Sequence, residues 1–264
     1  MKLVRRLFYF LTAFIVVFGL ILGTVYGLSR HNDLFVVTTI PVEVVSGSEQ
    51  NVMKHSPGAP ADLQLRISNQ LKQFSKQKIW EIQLGKIQAS ISADEWVKDV
   101  HISRILPNEL RVTVTPQQPV LILEVNKNSE VTAMMPVTAD GRLLSALAPD
   151  RLPDVPILRG EGLAEETPQG AELRLKAVQF ALRLPRRGPL ALNNLSELAW
   201  DKQDGFALTL INPRASIKLG DEMIELKVLR VAKVVNYLTT NHLGGRVIDA
   251  SFSKKVLVRL RKGP

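Results

Sequence analysis

From Leu7 to Leu28 the chain reads LFYFLTAFIVVFGLILGTVYGL, an unbroken run of 22 residues without a charge. At about 1.5 Å per residue a helix of that length reaches roughly 33 Å, slightly more than the hydrocarbon core of a bilayer. Every face of the run is apolar, so it does not read as an amphipathic helix lying on a surface. Tyr9 and Tyr26 stand near its two ends, where rings with a polar tip favour the membrane–water interface. Lys2, Arg5 and Arg6 precede it, and only Arg30 follows closely, with Asp33 beside it. The positive-inside rule then predicts a cytoplasmic tail over 1–6, a transmembrane helix over 7–28 and the bulk of the chain on the far side. The competing reading is a cleaved signal peptide. The run exceeds the usual h-region of about 7–15 residues, and Val25 and Gly27 make a poor small-x-small cleavage site.

The rest of the chain has the patterning of folded protein. Apolar residues make up 45% and charged residues 22% of the 264 residues, an ordinary globular balance. Leu34 to Val45 is rich in β-branched residues and predicts a strand. Ser46 to Pro60 reads as a loop. Asp62 is placed as an N-cap, with Leu63, Ile67, Leu71 and Phe74 along one helical face. A second short helix is expected over 84–93. Strands follow over Val97 to Leu106 and Leu110 to Thr115, joined by a turn at Pro107-Asn108-Glu109. The order strand, helix, helix, strand, strand predicts a two-layer α/β unit.

Pro116 and Pro119 mark a boundary at which a second domain begins. Val120 to Val125 predicts a strand, and Asp140-Gly141 between apolar runs predicts a hairpin turn. Pro168 opens a helix with Leu173, Ala177, Phe180 and Leu184 on its buried stripe. Leu198 and Trp200 alternate with polar neighbours, as do Phe206, Leu208 and Leu210 after an Asp204-Gly205 turn. Ile217 and Leu219 make another short strand. A last helix carries Ile224, Val228, Val231, Val235 and Leu238 on one face, with Lys227, Arg230, Lys233 and Asn236 off it. Gly244-Gly245 is read as its stop. Arg246 to Leu260 is read as strand with a hairpin near Ser253-Lys254.

No pattern for catalysis stands out. The chain has no cysteine, which removes thiol nucleophiles, thiolate metal sites and disulfides. The histidines His31, His55, His101 and His242 are dispersed and form no metal-binding spacing. There is no G-x-S-x-G elbow and no phosphate-binding glycine loop. Gly160-Glu161-Gly162 lacks a third glycine and follows no clear strand. Glu165-Glu166 fits a helix N-terminus better than acid–base work. Net charge is +9, but the cations are scattered, without the aromatic-lined basic stripe of a nucleic-acid site. No cofactor, metal, nucleic acid or small-molecule substrate is therefore expected. In the last segment, Leu257, Arg259 and Arg261 alternate with Val256, Val258 and Leu260. Two readings stay open: an ordinary strand with a basic face, or a sheet edge that accepts a partner strand.

Taken in order, these residues resemble the FtsQ/DivIB cell-division family. Trp96 to Val114 (WVKDVHISRILPNELRVTV) resembles the second half of its POTRA domain, with Leu106 in place of an aromatic before the proline. Pro119-Val120 matches the proline that follows, and Gln117-Gln118 departs from the usual pair. Asp140-Gly141-Arg142, Leu152-Pro153 through Gly160, and Val247-Ile248-Asp249 with Phe252 resemble later family motifs. Ser251 replaces an arginine, Phe252 a tyrosine, and Lys254-Lys255 a turn that often contains glycine. The resemblance implies an α+β chain: one N-terminal transmembrane helix, a POTRA domain (β-α-α-β-β) over 34–116, and a mixed α/β, antiparallel-rich C-terminal domain over 117–264. It implies a scaffold in the inner membrane at the division septum, its bulk periplasmic, and not an enzyme. The implied partners are FtsB- and FtsL-like bitopic proteins, bound by strand addition at the C-terminal strand, with other divisome proteins at the POTRA domain. The implied contact residues are Asp249, Phe252, Val256, Leu257, Val258, Arg259 and Leu260. A POTRA-bearing secretion component and a membrane-tethered cell-wall enzyme are the alternatives.

Overall fold

The computed structural model describes residues 14–24, 26–27, 32–45, 56–127, 130–243 and 245–260. Residues 14–24 and 26–27, inside the apolar run, are helical. Their side chains are exposed all round, from Phe14 and Ile15 to Leu20 and Tyr26. Among the described residues no helix is long and apolar enough to cross a membrane. Residues 7–13, 25 and 28 of the run, and the flanking cations Lys2, Arg5, Arg6 and Arg30, lie outside the described residues.

The chain divides into two compact units, one including Gln64–Ile91 and Val100–Val114, the other including the chain from Thr115 on. The first holds most of β1 (Val42–Val44), α1 (Pro60–Leu71), α2 (Leu84–Ser92), β2 (Val97–Ile105) and β3 (Glu109–Pro116). Its sheet runs β1-β3-β2. Leu63, Ile67 and Leu71 of α1 and Ile87 and Ile91 of α2 are buried, as are Leu110, Val112 and Val114 of β3. The 3.6-residue and two-residue periods of the sequence thus meet in one core.

Two expectations change here. The stretch Leu34 to Val45 is only briefly strand. It opens with a 3-10 turn (Asn32–Phe35) and touches Lys78 and Glu109 through single bridges before β1. The helix starts at Pro60, so Asp62 sits in its first turn and is not the cap. Proline at the first helical position needs no N–H, and an acid there still complements the helix dipole.

The second unit is an eight-stranded sheet in the order β11-β10-β9-β8-β7-β6-β4-β5. The strands are β4 (Pro119–Lys127), β5 (Glu130–Thr138), β6 (Ile157–Gly160), β7 (Leu195–Asp201), β8 (Gly205–Leu210), β9 (Ser216–Gly220), β10 (Gly245–Asp249) and β11 (Leu257–Leu260). The pairs β4–β6, β6–β7 and β9–β10 are parallel, and the rest antiparallel. Helices α3 (Pro168–Arg183) and α4 (Ile224–Thr240) join Leu123, Leu158, Leu198, Leu208, Ile217 and Ile248 in one apolar cluster. Phe180 of α3 stacks on Phe206 of β8 at 5.0 Å. Thr167 caps α3 by accepting from the Gly170 amide at 3.1 Å, and Pro168 follows it.

At alternate positions on these strands, Arg159 of β6 ties its two neighbours together. It reaches Glu124 of β4 at 2.7 Å and Glu197 of β7 at 3.0 Å. Its hydrogen bond holds the Glu124 carboxyl below the usual carboxylate range, against the opposing effect of burial.

Three further corrections concern this unit. Gly160-Glu161-Gly162 does follow a strand, since Gly160 ends β6. The strand is only four residues long, too short to give a period. Gly160 is required by packing: a Cβ there would stand 2.4 Å from the Trp200 carbonyl oxygen of β7. Helix α4 stops at Thr240, before Gly244-Gly245, with His242 taking the left-handed conformation. Lys227 is only 4% exposed, although it was placed off the apolar face. It stands three residues after Ile224 and four before Val231, on the margin of the buried stripe.

Candidate partner-binding edge

The C-terminal hairpin brings the predicted contact residues together at one border of the large sheet. Strand β10 is held from within by parallel pairing to β9, with Val247, Ile248 and Asp249 opposite Ser216, Ile217 and Lys218. Strand β11 then pairs antiparallel to β10, with Val247, Ile248 and Asp249 opposite Arg259, Val258 and Leu257. Among the described residues nothing pairs with β11 on its other side. An edge strand of this kind leaves alternate N–H and C=O groups pointing outward.

The turn between the strands is built by Asp249. Its Oδ1 accepts from the Ser251 amide at 3.0 Å and from the Ser251 hydroxyl at 2.6 Å. Burial opposes the charge on Asp249, yet the two Ser251 hydrogen bonds and the cations Lys218 and Lys227 hold its carboxyl below the usual range. The Ala250 amide donates to the Lys218 carbonyl at 2.8 Å, which fixes the exit from β10. Arg230 of α4 donates to the Ser253 carbonyl and clamps the far side of the turn. Lys255 lies over the Phe252 ring at 4.9 Å.

Burial separates the predicted residues into two groups. Asp249 is half-buried, and Val256 is partly buried against the core. Phe252 and all four residues of β11 are exposed. Leu257 and Leu260 are each 48% exposed. Neighbours along a strand face opposite ways, so β11 shows apolar side chains on both faces and buries neither. Arg230, Lys254, Lys255 and Arg259 make its surroundings cationic.

Sequence reasoning missed three contributors. Lys227 donates from Nζ to the Leu219 carbonyl at 2.8 Å, tying α4 to β9 beside the hairpin. The Ser251 hydroxyl, first noticed as a lost arginine, is the partner of Asp249. Arg230 lies off the apolar stripe of α4, and its guanidinium reaches the hairpin backbone. The local Asp249-x-Ser251 spacing is a turn signal that could have been found. The reach of α4 to the hairpin is long-range and left no local trace.

Among the described residues no group of three or more His, Asp or Glu side chains could hold a metal ion. What the site offers is main-chain donors and acceptors at an open edge, flanked by apolar and cationic side chains. Such an edge has the chemistry to pair with an added strand.

The fold and this edge define the class: a POTRA unit followed by a mixed-sheet unit with an open C-terminal strand. Residues 64–116 match the family description "POTRA domain, FtsQ-type", and residues 126–251 match "Cell division protein FtsQ/DivIB, C-terminal". The chain belongs to the FtsQ/DivIB family. It is 28% identical over 184 residues to the cell division protein FtsQ of Geotalea daltonii, covering 67% of this chain and 64% of that protein. It is 27% identical over 184 residues to the FtsQ of Geobacter sp. strain M21, covering 68% of this chain and 64% of that protein. With the FtsQ of Caulobacter vibrioides it shares 27% over 147 residues, 56% of this chain and 45% of the relative. The chain therefore spans just under two-thirds of the length of the first two. The second family match includes Asp249 but ends before Phe252 and β11.

Proposed function

We propose that this chain is a non-catalytic cell-division scaffold that binds FtsB- and FtsL-like bitopic proteins by strand addition at β11. The observation that carries the reading is the outer side of β11, unpaired among the described residues, with Phe252, Leu257, Val258 and Leu260 exposed around it. Leaving such groups in water is unfavourable for an isolated protein and is relieved when a partner covers them. The relatives' printed names, all cell division protein FtsQ, supply the cellular process. Main-chain pairing supplies affinity in this mode, and the cations near β11 favour a partner strand with acidic side chains.

In this reading residues 7–28 cross the inner membrane with 1–6 in the cytoplasm. The POTRA domain occupies 34–116, meets other divisome proteins, and the C-terminal domain occupies 117–264. Support for the span is the charge-free length of the run and the all-round exposure of its described apolar residues. Depletion of the protein is expected to give filamentous cells, and a tagged copy is expected at midcell. Normal division in a null strain would overturn the reading. Protease added outside spheroplasts is expected to digest the C-terminal domain, and protection of that domain would reverse the topology.

A further inference from the structure

The smaller unit exposes an aromatic pair that the β11 reading does not use. Phe35 and Trp80 meet with ring centroids 5.1 Å apart at a tilt of 54°. Trp80 is 52% exposed, and so is Leu34 beside Phe35. The pair is held on a rigid frame. The Ile79 amide donates to the Phe35 carbonyl, the Val37 amide to Gln77 and the Lys76 amide to Val37, each at 2.9 Å. Ile79 and Ile82 on either side of Trp80 are buried. Arg104 clamps the same turn, donating from Nε to the Ile79 carbonyl at 2.8 Å and from a guanidinium nitrogen to the Ile82 carbonyl at 2.6 Å. The exposed indole is thus fixed in place.

Two observations say what covers it. The first is tether length. Residue 27 is helical within the apolar run, and the 3-10 turn Asn32–Phe35 already belongs to the folded unit. Extended chain gives at most ~3.5 Å per residue and a 3-10 turn ~2.0 Å, so Phe35 stays within roughly 24 Å of residue 27 in any arrangement. The second is charge. Lys76 and Lys78 lie on the segment leading into Trp80, and Arg104 donates to the Ile79 and Ile82 carbonyls on either side of it. Glu81 stands 3.9 Å from Lys78 on the same segment, and set against the three cations it leaves them net positive. Indole and phenyl rings flanked by Lys and Arg suit the headgroup layer of an anionic bilayer.

We propose that Leu34, Phe35 and Trp80 form a membrane-interface contact that seats the smaller unit on the lipid headgroups of the bilayer holding the chain. This rests on the reading of 7–28 as a membrane span. The contact holds the unit down on the membrane surface and limits the orientations in which a partner can reach it.

The test uses the full chain reconstituted in phosphatidylcholine–phosphatidylglycerol vesicles, with and without brominated phosphatidylcholine as a quencher. The chain has three tryptophans. Trp96 is buried, and Trp200 lies under Lys176 in the other unit. Brominated lipid is expected to remove the share of emission carried by Trp80, and Trp80→Phe is expected to abolish that loss. An unchanged circular dichroism spectrum of Trp80→Phe checks that the fold is kept. Retention of the protein on vesicles through an alkaline carbonate wash reads the anchor separately. A retained protein whose quenching is absent, or equal in wild type and Trp80→Phe, would overturn the interface contact while leaving the anchor standing. Release by carbonate would overturn the anchor and this contact with it.

Discussion

The large sheet ends differently on its two sides. At the β5 edge the chain folds back along its own strand. The Leu144 amide donates to the Pro136 carbonyl and the Leu147 amide to Met134, each at 2.9 Å, while the Thr138 amide donates to Arg142 at 3.0 Å. Pro136 also removes one donor from the middle of that strand, a common way to blunt an edge. At the β11 edge there is no covering segment among the described residues, no proline, and apolar side chains on both faces. One edge is closed by the chain itself, and the other is left open among the described residues. The difference teaches that an open edge in this fold is a local choice and not a default of the sheet.

The comparison can be broken most forcefully at the closed edge. Leu144 is 1% exposed, so Leu144→Ala is expected to cost about 3 kcal/mol of unfolding free energy through lost burial and a cavity. Leu260→Ala at the open edge should stay within about 0.5 kcal/mol. Urea unfolding of the two variants reads this directly, and equal losses would mean that β11 is packed as β5 is. A next, smaller effect concerns Lys227. Replacing it with methionine leaves the Leu219 carbonyl without its donor, at about 1–3 kcal/mol, seen as a lower urea midpoint.

At the open edge the expected loss is in binding. Val258 and Arg259 point their amides in opposite directions, one toward β10 and one outward. Val258→Pro and Arg259→Pro should each weaken partner capture about tenfold or more, roughly 1.4 kcal/mol. Unchanged pull-down by both would remove β11 from the site.

The smallest effect is one of pH. The Asp249 carboxyl is lowered in the folded state. Its contribution to stability is therefore complete above the ordinary carboxylate value. It drains away as pH falls through the lowered one. Asp249→Asn should flatten the acid limb of the stability profile, and an unchanged limb would show that the turn does not depend on the charge.

Much of this architecture was legible in local pattern. The stripes of α1, α3 and α4 and the alternation in β3, β7, β8 and β9 placed the core correctly, because burial imposes a period on the sequence. Short parallel β6 was missed, since four residues carry no period and its reason for existing is its neighbours. Strand β5 was missed because Pro136 breaks its propensity, although that proline is what an edge strand tolerates. The C-terminal hairpin was legible as a set of adjacent residues. Whether their strand was central or at an edge was not, since strand order is a long-range property. The roles of Lys227 and Arg230 were hidden for the same reason.

The central claim is that β11 receives a partner's backbone. Amide hydrogen exchange on the full chain in bilayers, alone and with the FtsB- and FtsL-like partners, tests it most directly. Residues 257–260 are expected to slow by at least about tenfold on complex formation, while β5, already covered, keeps its rates. Equal exchange at 257–260 in the free and bound chain, with the partners bound, would contradict it.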